Sequence, residues 1–78
     1  MPSALVLLMC ESGCEHSVAE NISRIPGVVD TNIVFGGYDI VAKVKADKME
    51  KLKQIVGWEI KKLEGVKTSL TLIRREPR

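Results

Sequence analysis

Three groups of residues carry side chains suited to chemistry. Cys10, Cys14 and His16 lie close together, and two thiolates with an imidazole make soft-metal ligands. A helix opening near Cys14 would also favour its thiolate. The opposing reading is a buried Cys10 acting as a small hydrophobe, with Cys14 and His16 in solvent. The second group is Gly36-Gly37-Tyr38-Asp39. Glycines leave the backbone open to close approach, and Asp39 can accept from an ammonium group. Thr68, Ser69 and Thr71 form the third group, with hydroxyls that can donate to a carboxylate. The second and third groups together offer an anionic acceptor, open backbone groups and hydroxyl donors, as a small polar ligand needs. Each also has an ordinary structural use: Gly-Gly as a turn, Asp39 as an acceptor for turn amides, and threonines as strand residues. Catalysis is not expected. His16 is the sole histidine, and no Ser/His/Asp or Cys/His/Asn set can be assembled around it. Glu15, Glu20, Glu50, Glu59 and Glu64 fall mostly beside Lys or Arg, as on solvated helix faces.

The elements that must position these groups follow from the hydrophobic pattern. Residues 4–10 are apolar throughout, which predicts a strand covered on both faces. Val18, Ala19, Ile22 and Ile25 recur at helical spacing, so residues 14–24 read as an amphipathic helix stopped by Pro26-Gly27. Residues 28–35 read as a second strand, with Gly36-Gly37 as a hairpin turn. Residues 38–46 alternate cleanly as a third strand, with Ile40, Ala42, Val44 and Ala46 on one face. Asp47 with Glu50 resembles a capping box. Met49, Leu52, Val56, Ile60 and Leu63 then form the stripe of a second helix, with Ile55 on its edge and Gly65 closing it. Trp58 falls off that stripe and is expected at the surface. Residues 66–74 read as a fourth strand, with Val66, Thr68, Leu70 and Leu72 on one face, and residues 75–78 as a frayed polar tail.

The order β-α-β-β-α-β carries an internal echo. The frame from Ile22 to Val28 recurs from Ile60 to Val66. Two such halves make a ferredoxin-like α+β sandwich: a four-stranded antiparallel sheet with two helices on one face. A chain of 78 residues is read as one domain, residues 1–78. Its size makes stability marginal without association. A net charge of +2 is too weak for a nucleic-acid footprint, and the only aromatics, Phe35, Tyr38 and Trp58, are too few for a stacking platform. The longest apolar run is far short of a membrane span and follows no basic start, so a cytoplasmic protein with no membrane partner is expected.

Both faces of the first strand are apolar, yet the helices can cover only one. Leu5, Leu7 and Met9, with Val41 and Ile73, are assigned to the uncovered face as a dimer interface.

The motifs Ile25-Pro26-Gly27-Val28, then Phe35-Gly36-Gly37-Tyr38-Asp39-Ile40-Val41-Ala42-Lys43-Val44, then Leu63-Glu64-Gly65-Val66 before a Thr/Ser-rich strand, resemble the C-terminal effector-binding domain of the Lrp/AsnC regulators. The resemblance runs over residues 5–73. It implies dimers, rings of dimers, and an amino-acid effector held between neighbouring dimers. By position it implies Gly36, Tyr38 and Asp39 near the effector cleft. Only Met1-Pro2-Ser3 precede the first strand, so the expectation is a stand-alone module that binds no DNA directly and has full-length Lrp/AsnC regulators as partners. No cofactor or metal is expected. Two alternatives are kept: a copper or zinc chaperone using Cys10, Cys14 and His16, whose spacing departs from the Cys-x-x-Cys of such chaperones, and a regulatory subunit of the ACT type.

Overall fold

The structure, a computed structural model, describes residues 1–74. The expected polar tail at 75–78 lies outside the described residues. The elements run β1 (Ser3–Cys10), α1 (Glu15–Ser23), β2 (Val28–Ile33), β3 (Ile40–Lys45), α2 (Met49–Gln54), a π-helical segment (Ile55–Glu59) and β4 (Val66–Arg74). The strands form one antiparallel sheet in the order β2-β3-β1-β4. This is the expected ferredoxin-like arrangement, with β1 central because its run is apolar on both faces.

One face of the sheet carries Ala4, Val6 and Leu8 of β1 against Val44, Ala42 and Ile40 of β3, and all six are buried. Val18 and Ile22 of α1 and Leu52, Ile55, Val56 and Ile60 of the second helical stretch complete this core. The expected α-helical stripe is interrupted. After Gln54 the chain widens into a π turn, and the Ile60 N–H donates to the Ile55 carbonyl at 3.0 Å. An i→i+5 bond makes residues five apart neighbours, so Ile55 is a core residue and not an edge one. Met49, the first residue of the expected stripe, is exposed. The expected Asp47 cap is also corrected: Lys48 occupies the cap position in an extended conformation, with no side-chain capping bond, so Asp47 stands one residue too early.

The two echoed turns behave alike. Gly27 (φ +102°) and Gly65 (φ +97°) both adopt the left-handed conformation. A Cβ at Gly27 would stand 2.7 Å from Ile55 Cδ1 and 3.0 Å from the Lys45 carbonyl. A Cβ at Gly65 would stand 2.9 Å from Val18 Cγ2 and 3.3 Å from Cys14 Cβ. Each glycine thus lets the turn after one half lie under the helical stretch of the other, which is the packing a two-fold repeat requires.

Candidate functional site

The hairpin is longer than its glycines suggest. Phe35 and Tyr38 lie outside the strands: β2 ends at Ile33, β3 begins at Ile40, and residues 34–39 connect them. The Val34 N–H donates to the Asp39 carbonyl at 2.8 Å, which closes the base of the loop. Gly36 takes φ +126°, Phe35 is fully exposed, and Tyr38 is half-buried.

Asp39 is committed to the fold. Its N–H donates to the Leu8 carbonyl at 2.8 Å, and its carboxylate Oδ2 accepts the Cys10 N–H at 2.8 Å. Pairing between β1 and β3 runs out at Leu8↔Ile40, and the Asp39 side chain supplies the next acceptor. Charged hydrogen bonds to backbone amides are among the stronger ones. Of the two uses that the sequence allows Asp39, an acceptor for backbone amides and an ammonium site, one carboxylate oxygen performs the first.

Cys10 is buried, Cys14 is half-buried against Gly65, and His16 is exposed at the start of α1. Burial pushes the Cys10 thiol above its ordinary range, and the Asp39 carboxylate, then Glu15 and Cys14, act in the same direction. A soft metal needs thiolates, and a thiol held protonated is a poor ligand. Among the described residues no three His, Cys, Asp or Glu side chains converge to hold a metal ion. The structure thus does not bring Cys10, Cys14 and His16 together as a three-ligand set.

The third group is divided by the sheet. Thr71 and Ser69 pair opposite buried Val6 and Leu8 and share the helix-side face, whereas Thr68 pairs opposite Met9 on the other face. Thr68 and Ser69, but not Thr71, line a depression of about 230 Å³ with Lys61, Val66 and Lys67. Sequence reading misses Lys61 and Lys67, because no local signal joins the end of a helix to the start of an edge strand. The hairpin and this depression both sit at the Cys10 end of β1 but on opposite sides of it.

The uncovered sheet face is apolar, as expected, with one correction. Ile73 pairs opposite buried Ala4 and so belongs to the helix side. Its place on the outer face is taken by Leu70 and Leu72, opposite Leu7 and Leu5. Leu5, Leu70 and Leu72 are 44%, 45% and 51% exposed, beside half-buried Leu7, Met9 and Val41. A groove of about 350 Å³ lies at the Ser3 end of the sheet, lined by Leu5, Lys43, Leu72 and Arg74 together with Ser3, Ala4 and Ile73. Trp58 is 62% exposed in the π-helical segment, at the surface as expected. Among the described residues no helix is long and apolar enough to cross a membrane.

Together these observations define a ferredoxin-like sandwich whose sheet face opposite the helices is apolar and uncovered. The family model for the Lrp/AsnC ligand binding domain matches residues 3–76, and the chain belongs to that family. It is 36% identical over 59 residues to an uncharacterised HTH-type transcriptional regulator of Pyrococcus horikoshii, covering 76% of this chain and 39% of that protein. The chain thus spans about two fifths of the length of such a regulator. It is 38% identical over 69 residues to a homocitrate synthase of Sulfurisphaera tokodaii, covering 87% of this chain and 15% of the enzyme. Among solved structures it superposes on a protein of Thermus thermophilus with a TM-score of 0.88 and 35% identity, over 100% of both chains. A transcriptional regulator of Neisseria meningitidis, solved in complex with L-Met, shares the fold with a TM-score of 0.82 at 13% identity, over 96% of this chain and 50% of that one.

Proposed function

We propose that this chain is a cytoplasmic regulatory module without catalytic activity of its own, which self-associates and binds an amino-acid effector. The observation that carries the reading is the match to the Lrp/AsnC ligand binding domain over residues 3–76. Two features support its parts. The open apolar face of Leu5, Leu7, Met9, Val41, Leu70 and Leu72 suits a self-complementary contact, because a small core gains stability from added burial. The fold is that of a regulator whose structure holds L-Met, which makes an amino acid the effector class to test. Gly36, Gly37, Tyr38 and Asp39 on one side, and Thr68 and Ser69 on the other, are the groups that would meet it. Thr71 shares the helix-side face of β4 with Ser69 but lies outside the depression. Full-length regulators of the same family are the proposed partners.

Native mass measurement with and without a pool of amino acids tests assembly and ligand together. Oligomers whose mass or population changes with the pool are expected. A monomer at micromolar concentration, unchanged by any amino acid, would overturn the proposal.

A second reading rests on the homocitrate synthase match. The same module would then report effector to an enzyme, with regulation of the ACT type. Pull-down with the tagged chain separates the two, since a regulator of the family supports the first reading and a biosynthetic enzyme the second.

A further inference from the structure

We infer that the depression at the start of β4 is an anion subsite, and that the effector is a dicarboxylic amino acid. The inference rests on the amino-acid reading above and adds the charge of the ligand. The geometry begins with a register shift. Met9 pairs with Thr68 and Cys10 with Val66, which leaves Lys67 as an extra residue without a partner on β1. A bulge of this kind re-aims a side chain, and such bulges are frequent at sheet edges and beside functional sites. Here it sets Lys67 beside Thr68 and Ser69 in a depression whose other wall holds Lys61, from the end of the second helical stretch.

The lining has one sign of charge. Lys61 and Lys67 have no ion-pair partner among the described residues, and no carboxylate lines the depression. Nearby Glu59 is occupied with Lys62 at 3.4 Å. Two ammonium groups at one depression repel each other, and a bound anion removes that repulsion. Thr68 and Ser69 border the depression from opposite faces of β4, Thr68 opposite Met9 and Ser69 opposite buried Leu8, and each hydroxyl is a donor suited to a carboxylate. About 230 Å³ lies below the roughly 300–1,000 Å³ of pockets that enclose drug-sized ligands, so the ligand is small. A neutral amino acid has only its α-carboxylate to offer two lysines, while aspartate or glutamate offers a second.

Isothermal calorimetry of the intact protein tests this with L-aspartate and L-glutamate against their isosteric amides, and with inorganic phosphate in a separate arm. Trp58, the only tryptophan, lies three residues before Lys61 and gives an independent fluorescence readout. The acids are expected to bind about tenfold or more tighter than the amides, the worth of one charge-assisted hydrogen bond. Lys61→Gln and Lys67→Gln are each expected to weaken the acid about two- to fivefold, as for an exposed ion pair, and added salt to weaken it further. Amides that bind as tightly as acids, with affinity kept in both variants, would overturn the inference and leave the amino-acid reading standing. Binding of phosphate but of no amino acid would overturn the dicarboxylate, and no binding at all would overturn both readings.

Discussion

The Oδ2 atom of Asp39 accepts the backbone N–H of Cys10 at 2.8 Å, joining residues 29 apart in sequence where the β1–β3 ladder ends. The Cys10 N–H is left without that acceptor when the side chain is removed. Asp39→Ala is therefore expected to destabilise the fold by about 1–3 kcal/mol, the cost of an unsatisfied amide at a part-buried site. Thermal unfolding measures it, and an unchanged Tm would show that the bond contributes nothing. A ligand-binding loss in Asp39→Ala needs this control, because the same carboxylate serves the fold. Asp39→Asn keeps an acceptor oxygen and is expected to recover most of the stability.

Asp39 also shows where the sequence stops being informative. Its type and its place after Gly36-Gly37 allow either an ammonium acceptor or a backbone acceptor. The choice depends on which strand end lies beside it, and register is not written in a single strand. The element order is legible because apolar runs, alternation and the two echoed Gly-Val turns are local signals. The bulge at Lys67 is not, since it exists only in the pairing of β4 with β1. Ile73 is misplaced by its sequence for the same reason: its partner Ala4 fixes its face. The π turn is hidden because a stripe at spacings of three and four reads as an ordinary α-helix, and only the i→i+5 bond from Ile60 to Ile55 reveals the widening.

Two glycines are expected to respond with opposite sign. Gly27 needs its left-handed backbone and has Ile55 Cδ1 only 2.7 Å from an added Cβ. Gly27→Ala is expected to cost about 1–3 kcal/mol. Gly57 lies exposed in the π-helical segment with nothing within 4 Å of an added Cβ. Gly57→Ala is expected to stabilise by about 0.5–1 kcal/mol, because alanine loses less backbone freedom there. For a domain of this size 1 kcal/mol moves Tm by about 4–8 °C, so calorimetric scans resolve both. Equal shifts in the same direction would contradict the steric argument.

The thiols are expected to differ in reactivity, and Cys10 is expected to link stability to pH. Burial, with Asp39, Glu15 and Cys14 beside it, holds Cys10 protonated beyond the ordinary thiol range. Its contribution to stability is fully present below the ordinary thiol pKa. It is lost as pH rises from there through the raised folded value, because ionisation then favours the unfolded chain. Cys10→Ala is expected to flatten the alkaline loss of stability. Iodoacetamide followed by peptide mass analysis is expected to find Cys14 modified ahead of Cys10, and the reverse order would place Cys10 outside the core.

The outward sheet face gives the last prediction. Leu5, Leu70 and Leu72 expose about half of their surfaces on the side the helices leave open. Fully burying a leucine is worth about 1.5–3 kcal/mol, so burying the exposed half contributes about 1 kcal/mol per side chain. A two-fold contact presents each residue twice, which doubles the effect. Leu72→Lys therefore removes about 2 kcal/mol and adds an unpaired charge from each copy. The dissociation constant is expected to rise by about 30-fold or more. Leu7→Lys acts at the centre of the same face, opposite Leu70. Ile73→Gln is the control, because Ile73 stands opposite Ala4 on the helix side and is expected to leave association intact. Sedimentation equilibrium of the three variants beside the wild type decides the matter. Association lost in Ile73→Gln but kept in Leu72→Lys would place the contact elsewhere than on this sheet face.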